Sequence, residues 1–231
     1  MPIKKYFATE NKDLKLAGYT HLKSGNGEWT NRLKVVLNQI EEDYIIFFQE
    51  DMWLNKAPQP GALAQIIDFV TANKIQLLKL HSAEFYATQP QPQNFEGLLL
   101  SKLIKAKSKY LMSHQVSIWQ KDFLFQQLKD NENPWRNERR GSQRLKRSKA
   151  EIYQLDFLAE NSKAPINKNT AGCIQGDYQT ISVNACLHPK VTWFLGEIAP
   201  AEPEYAAQLK SNLENEITHD GKAKPRKEDA F

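Results

Sequence analysis

The sequence predicts an α/β fold in which a doubly wound, mostly parallel sheet is flanked by helices. Segments of strand character alternate with segments of helical periodicity, which is the βαβ pattern of such a sheet. The run 44–48 is continuously apolar and rich in β-branched and aromatic residues, as expected for a parallel strand buried on both faces. A length of 231 residues, 41% of them apolar, suits one α/β domain with a tail.

The individual elements follow from local patterns. The helix that begins at Trp29 is predicted because Leu33, Val36, Leu37 and Ile40 recur on one helical stripe. The predicted helices span residues 29–40, 62–72, 122–128, 135–147 and 206–217. The predicted strands span residues 3–9, 19–22, 44–48, 75–80 and 151–157, and residues 110–119 are predicted as a strand or an extended segment. Prolines and amide side chains predict a loop over 84–97, and 98–107 is predicted as a basic amphipathic stretch.

Three polar residues, Gln49, Glu50 and Asp51, end the apolar run 44–48 abruptly. Ligands of doubly wound sheets bind beyond the carboxyl ends of the strands, so these side chains are placed on the binding edge. Carboxylates at the end of a buried strand are costly unless they meet a cation or a hydrogen-bond donor. A divalent metal that bridges a diphosphate is one such partner. A solvated turn at the end of the strand is the alternative.

The basic character of the chain is local. The formal net charge is +4, but residues 136–149 alone carry +6, since seven basic residues there face only Glu138, and the rest of the chain carries −2. A local basic patch indicates an anionic partner, such as a diphosphate or a lipid headgroup. A nucleic-acid partner is disfavoured because aromatic residues are not interleaved through the run. A solvated helix face is the alternative interpretation.

Several classes of protein are disfavoured by composition. No stretch approaches 18 apolar residues, and the residues after Met1 lack the apolar core of a signal peptide. We therefore expect a cytoplasmic protein, at the inner face of the membrane if the basic run meets lipid. Cys173 and Cys186 lack histidines at zinc-binding spacing and are expected to be free thiols.

Three sequence blocks carry a resemblance to a known family. They are residues 43–54 (DYIIFFQEDMWL), 110–124 (YLMSHQVSIWQKDFL) and 132–138 (ENPWRNE). Their order and spacing resemble those of a GT-A type glycosyltransferase-like family found in bacterial surface-polysaccharide gene clusters, over roughly residues 1–155. The C-terminal third has no counterpart in this resemblance.

The resemblance implies transfer of a sugar from a nucleotide-sugar donor to a glycan or lipid-linked acceptor, with inversion. It implies Asp51 as the ligand of a divalent metal, Mn or Mg, and Glu138 as the general base that deprotonates the acceptor hydroxyl. Donor or cofactor binding is implied for Gln49, Glu50, Gln115 and Trp135. His188 is a further metal-ligand candidate by position.

Purely structural explanations remain open for several of these residues. Glu138 is also a suitable first-turn acid for its helix. For Trp135 simple packing is slightly favoured over stacking on an acceptor sugar, and an ordinary hydrogen bond to a neighbour explains His114.

The predicted domain organisation has three parts. Residues 1–160 form the GT-A-like nucleotide-sugar transferase domain, 161–218 a C-terminal extension of that domain, and 219–231 a flexible charged tail. In the family we expect about one strand and one helix before the segment that corresponds to residues 3–9, and this sequence starts too late to include them. A catalytically impaired GT-A-like binding or scaffold module is therefore the alternative function.

Overall fold

The computed structural model describes residues 3–54, 59–83, 85–156, 160–161, 178–183 and 186–218. The fold is α/β, with a mixed six-stranded sheet flanked by helices. In the described residues the strands are β1 (Tyr6–Thr9), β2 (Thr20–Lys23), β3 (Tyr44–Phe47), β4 (Met52–Leu54), β5 (Leu77–Lys79), β6 (Ser82–Ala83), β7 (Thr88–Phe95), β8 (Leu98–Leu103), β9 (Ser117–Gln120), β10 (Ile152–Asp156), β11 (Glu160–Asn161), β12 (Tyr178–Thr180), β13 (Ser182–Val183) and β14 (Cys186–Leu187).

Of the six helices in the described residues, five agree with the sequence predictions within a few residues at their ends, and the helix at Thr192–Ile198 was not predicted. The helices are α1 (Trp29–Leu37), α2 (Pro60–Ala72), α3 (Lys121–Gln127), α4 (Pro134–Arg147), α5 (Thr192–Ile198) and α6 (Pro203–Glu214), and a 3₁₀ turn at Pro189–Val191 leads into α5. Among the described residues no helix is both long and apolar enough to cross a membrane.

The expectation of a mostly parallel sheet is not confirmed. The strand order is β3-β9-β5-β10-β8-β7, and within it only β5 and β10 pair in parallel. Strand β3, predicted to be central and buried on both faces, lies at an edge, pairs antiparallel with β9 and is half-buried along its length. The cause is β9, which returns through the sheet between β3 and β5 and reverses the local direction.

The loop predicted over 84–97 is wrong for most of its length, because β7 occupies Thr88–Phe95 and forms a hairpin with β8. The connecting residues Glu96 and Gly97 both have positive φ, at 53° and 97°, as a two-residue hairpin turn requires. Pro90 and Pro92 are tolerated because β7 is an edge strand with a register shift between Pro90 and Asn94. The stretch predicted over 98–107 contributes β8.

Alternating side chains divide the sheet into two apolar faces. Leu77, Trp119 and Ile152 pack on the side that carries α1, α3 and α4. Leu78, Ile118 and Leu155 pack on the opposite side with Ile66 and Val70 of α2. Each fully buried large apolar side chain contributes about 1.5–3 kcal/mol of burial energy. The strands are therefore packed between two helical layers. Polar side chains occur at the ends of the strands, beyond these apolar faces.

The C-terminal segment adds a smaller apolar cluster. Val191, Phe194 and Leu209 are buried in it, and Trp53 packs against the ring of Phe194 with centroids 5.4 Å apart. Strand β12 pairs antiparallel with β4, so this segment is attached directly to the chain that follows Asp51. The predicted tail, residues 219–231, lies outside the described residues.

Candidate functional site

Strands β3, β5 and β10 end at the same edge of the sheet, where β9 begins. The register places Ser117 opposite both Phe47 and Lys79, and Gln154 opposite Lys79. The preceding row on this face is apolar and includes Trp119. Paired residues of adjacent strands lie on the same face, so the face changes from apolar to polar at the last row before the edge.

The acidic turn predicted from the sequence lies at this edge. Gln49 and Asp51 are half-buried, and Glu50 is exposed. The turn is held by its backbone: the Gln49 carbonyl accepts the N–H of Met52 at 3.1 Å, and the Asp51 carbonyl accepts the N–H of Ile181 at 2.9 Å. Glu50 and Asp51 therefore belong to a turn that is hydrogen-bonded to the C-terminal segment.

Glu138 reaches the same edge from α4. This helix begins at Pro134, whose missing N–H suits the first turn, and the Asn133 side chain accepts the N–H of Arg136 at 2.8 Å as the N-cap. Glu138 is half-buried, and its Oε1 accepts the backbone N–H of His114 at 2.9 Å. Burial raises the pKa of the Glu138 carboxyl, while the His114 N–H and the charge of Lys79 act in the opposite direction.

His114 connects Glu138 to the strand that carries the acidic turn. Its ring lies 4.3 Å from the Trp29 ring and 6.3 Å from the Phe47 ring, measured between centroids. Burial and the nearby Lys79 charge lower its pKa to about 3, while Asn137 acts in the opposite direction. His114 is therefore neutral near pH 7, and the structure supports the interpretation of it as a packed neighbour of the site.

A buried polar cluster lies beneath Glu138 that the sequence did not predict. The Lys79 ammonium donates to Ser113 Oγ at 2.8 Å and lies 5.1 Å from the centroid of the Tyr86 ring. The Tyr86 hydroxyl lies 3.1 Å from His81 Nε2. We call Lys79, His81, Tyr86 and Ser113 the buried polar cluster; all four are buried.

Burial sets the ionisation of this cluster. It lowers the pKa of Lys79 to about 7, and the charge of Glu138 opposes that effect. It lowers the pKa of His81 to about 3, with a further contribution from Lys79, and it raises the pKa of Tyr86. His81 and Tyr86 are therefore neutral at neutral pH, and Lys79 is the group of the cluster that carries charge.

A second polar group missed by the sequence follows on β10. Asp156 accepts hydrogen bonds from Ser101 Oγ at 2.8 Å and from Gln154 Nε2. Burial raises the pKa of the Asp156 carboxyl, and these two donors oppose the rise. Gln154 Oε1 is buried and accepts no hydrogen bond from the described residues. The polar row of the sheet therefore extends from Ser117 to β8.

Gln115 and Trp135 flank the edge. Gln115 is half-buried, and its carbonyl accepts the hydroxyl of Ser117 at 2.9 Å. Trp135 is 64% exposed at the first turn of α4. Simple packing does not explain an indole that is exposed to this extent, so Trp135 is accessible to a ligand.

The base of α4 is fixed by a buried ion pair. Glu132 accepts from Arg144 Nη2 at 2.9 Å and from Asn137 Nδ2 at 2.8 Å. Burial raises the pKa of the Glu132 carboxyl, but Arg144 and Asn137 outweigh it and the pKa is lowered. Because Arg144 is paired with Glu132, it is not available to bind an anionic partner. The exposed basic residues are Arg136, Arg139, Arg140, Lys146, Arg147 and Lys149.

The metal-ligand candidates do not converge. In the part of the chain that the structure describes, no group of three or more His, Cys, Asp or Glu side chains could hold a metal ion. His188 Nδ1 accepts the N–H of Lys190 at 3.2 Å, which makes it the cap of the 3₁₀ turn. Cys186 is a free thiol, as expected, and Cys173 lies outside the described residues.

A cleft of about 470 Å³ lies at the opposite end of the sheet. Asn73, Gln76 and Tyr153 are among the residues that line it, and none of the predicted site residues does. Polar side chains line this cleft too, but the predicted site residues lie at the polar edge, so we place the candidate site there.

The three sequence blocks are in contact in the folded chain. The contact between Glu138 and His114 joins the third block to the second, and the packing of His114 on Phe47 joins the second to the first. Lys79 was missed because it was counted within an apolar strand; a lysine in the otherwise apolar run 75–80 was the available signal.

Comparison with known proteins adds no functional assignment. No family model matches the chain. No curated protein matches it either.

Proposed function

We propose that the chain is an inverting glycosyltransferase of GT-A type that moves a sugar from a nucleotide-sugar donor to a glycan or lipid-linked acceptor. The observation that carries the proposal is the Glu138 carboxylate, half-buried at the polar edge and oriented by the His114 N–H. A carboxylate held in this way is suited to general-base catalysis.

In this reaction Glu138 takes the proton from the acceptor hydroxyl as that oxygen attacks the anomeric carbon, and the nucleoside diphosphate leaves. The base must be ionised, so the rate rises with pH through the pKa of Glu138. Burial raises that pKa. Trp135, exposed beside Glu138 on α4, offers a face on which an acceptor sugar can stack.

The donor side of the proposed site is the acidic turn, with Gln49, Glu50, Asp51 and the neighbouring Gln115. Magnesium is commonly held by one or two carboxylates together with substrate phosphates, which does not require a cage of three protein ligands. Asp51, with Glu50 beside it, would hold a divalent Mn or Mg ion in this way. Such an ion supplies charge stabilisation to the leaving diphosphate.

The basic residues of α4 support a peripheral contact with an anionic membrane surface at the inner face of the membrane. Trp135 lies at the start of the same helix, as an interfacial anchor would. Such a contact would bring Glu138 close to a lipid-linked acceptor.

A catalytically impaired binding or scaffold module is the second candidate function. It is supported by the mixed sheet, in which only β5 and β10 are parallel, since a nucleotide pocket built on parallel strands would be altered there. Turnover of a donor distinguishes the two functions, because a binding module would bind without turnover.

The experiment is to incubate the protein with a panel of UDP- and GDP-sugars, with and without Mn²⁺, and to measure binding and donor hydrolysis. The proposal expects saturable binding of at least one donor, with turnover. Failure to bind any nucleotide sugar under either condition would contradict it.

A further inference from the structure

Lys79 is a charged side chain in a place that disfavours charge. It is the last residue of β5, and its relative exposure is 0%. Moving an ammonium group out of water is costly unless hydrogen bonds and an opposite charge compensate. An apolar residue would fill the end of a buried strand at lower cost, so the partners of Lys79 indicate what the charge does.

Two neutral groups fix the position of the Lys79 ammonium. Ser113 Oγ accepts a hydrogen bond from it at 2.8 Å, and the Tyr86 ring lies 5.1 Å away in a cation–π arrangement. The Tyr86 hydroxyl is in turn positioned by His81 Nε2 at 3.1 Å. These groups orient the ammonium but do not neutralise it.

The opposite charge comes from α4. Glu138 Oε1 accepts the N–H of His114 at 2.9 Å, and Lys79 donates to the adjacent Ser113 at 2.8 Å, so neighbouring residues of one segment hold the two charged groups. The charge of Glu138 favours the protonated form of Lys79, and Lys79 in turn favours the ionised form of Glu138. The other groups around the pair are neutral or already paired. His81, His114 and Tyr86 are kept neutral by burial, and Glu132 is bound by Arg144. Arg139 is exposed, and the exposed Arg140 lies 3.8 Å from the Glu132 carboxylate.

We propose that Lys79 is a positioning residue whose buried ammonium, held by Ser113 and Tyr86, keeps the Glu138 carboxylate ionised at the polar edge of the sheet. A half-buried carboxyl would otherwise tend to hold its proton and could not act as a base. The role of Glu138 in transfer rests on the proposed function. The coupling between the two charges does not, and it can be measured without any substrate.

The coupling operates in a defined pH window. Lys79 is charged below its pKa of about 7. Glu138 is ionised above its own pKa, which burial raises. The coupling therefore acts below the pKa of Lys79, where the ammonium is charged. Above about pH 7 the lysine loses its proton, and the electrostatic support that it gives the Glu138 carboxylate is lost with it.

The test is an NMR titration of the Glu138 carboxyl carbon, identified by its loss in Glu138→Gln. Lys79→Met keeps a side chain of similar length but removes its charge. In this variant the pKa of Glu138 should rise by about one unit or more, since a nearby opposite charge lowers the pKa of a carboxyl by roughly 1–3 units. Lys105→Met is the matched control. Lys105 is a half-buried lysine bound to the carbonyls of Ser148 and Ala150, so its loss should leave the titration of Glu138 unchanged.

An unchanged Glu138 pKa in Lys79→Met would overturn the proposal, as would an equal rise in Lys105→Met. If Lys79→Met does not fold, the reciprocal measurement decides: in Glu138→Gln the pKa of the Lys79 ammonium must fall, because the opposing charge is gone. These outcomes are independent of sugar transfer. An inactive protein with an intact coupling would reject the glycosyltransferase and leave the pair established.

Discussion

Glu132 illustrates how a single buried carboxylate can fix the position of a helix, here α4. Its side chain is 3% exposed and binds Asn137 and Arg144, which lie about one and three turns into α4. Its backbone N–H also donates to Thr30 Oγ1 at 3.1 Å, which connects the start of α4 to α1. The position of Glu138, on the same helix, therefore depends on residues that do not touch the proposed substrate.

Glu132→Ala should destabilise the protein strongly. The change leaves the Arg144 guanidinium without its carboxylate, and breaking a buried ion pair typically costs about 3–5 kcal/mol. Denaturant unfolding followed by circular dichroism measures the free energy of unfolding. Asp130→Ala is the control, since Asp130 pairs with Lys34 at 2.5 Å but is 65% exposed, and losing an exposed pair costs about 1 kcal/mol or less.

The same pair gives a pH dependence with a defined sign. The pKa of Glu132 is lowered in the folded protein, so its contribution is present above the unfolded pKa and is lost as the pH falls through the folded value. The stability difference between wild type and Glu132→Ala should shrink on acidification. A difference that is independent of pH between neutrality and acid would contradict this assignment.

At the scale of elements, α4 is the most informative helix. Its inner face approaches the segment 110–114 closely, because a Cβ atom on Gly141 would lie 2.7 Å from Met112 Cγ and 3.0 Å from Met112 Cβ. Ser142 Oγ also accepts the Met112 N–H at 3.1 Å. This contact brings His114 within reach of Glu138.

Gly141→Ala should therefore destabilise the protein although alanine is the better helix former. Overpacking of a tight contact costs about 1–3 kcal/mol, which exceeds the gain of about 0.5–1 kcal/mol from removing a helical glycine. Gly196→Ala in α5 is the matched control, because nothing lies within 4 Å of its added Cβ. Thermal unfolding should show opposite shifts for the two variants. Stabilisation by Gly141→Ala would show that the contact is looser than described.

We expect the exposed basic residues of α4 to bind anionic vesicles. Each basic residue near such a surface contributes about 1 kcal/mol, so Arg139→Gln/Lys146→Gln/Arg147→Gln should weaken binding to phosphatidylglycerol vesicles on the order of 100-fold. Sedimentation with vesicles measures this, and binding should also weaken as salt is added.

The control for this experiment removes the same charge elsewhere. Lys12→Gln/Lys15→Gln/Lys107→Gln changes three exposed lysines outside α4 and should bind vesicles nearly as well as wild type. Equal loss in both variants would show a general charge effect. Preference for duplex DNA over vesicles would reject the membrane contact in favour of nucleic acid.

At the scale of the whole molecule, the polar edge is assembled from residues distant in the chain. The carboxylates of the acidic turn follow β3, the buried polar cluster runs from Lys79 at the end of β5 to Ser113 before β9, and Glu138 comes from α4. The C-terminal segment adds the hydrogen bond from Ile181 to Asp51 and the pairing of β12 with β4. The proposed donor and acceptor sides therefore belong to one edge of one sheet.

Local patterns predicted the elements well and their arrangement less well. The helix at Trp29 followed from the periodicity of its apolar residues and the helix after Pro134 from that proline, and both signals act within a few positions. Strand direction did not follow, because β9 inserts between β3 and β5 through contacts some 70 or 40 residues apart in the chain. Proline and glutamine were interpreted as loop in β7, where an edge position removes the usual penalty.

Candidate residues at exposed or edge positions were singled out from the sequence, and buried ones were missed. The acidic turn lies at the edge that was predicted for it, and Glu138, for which no edge was predicted, lies there as well. Lys79 was missed because its significance lies in its 0% exposure and in its contacts with Ser113 and Tyr86, which only the folded chain creates. Glu132 and Arg144 resemble ordinary surface charges in the sequence for the same reason.

The central claim is that one edge carries a donor side and a separate general base. Once a donor is identified, the most direct measurement is kcat together with donor affinity for Glu138→Gln and Asp51→Ala. Glu138→Gln should lower kcat by about 10²- to 10⁴-fold and leave donor affinity unchanged, because only the base is lost. Asp51→Ala should weaken donor binding itself. Full turnover in Glu138→Gln, or unaltered donor affinity in Asp51→Ala, would contradict the account.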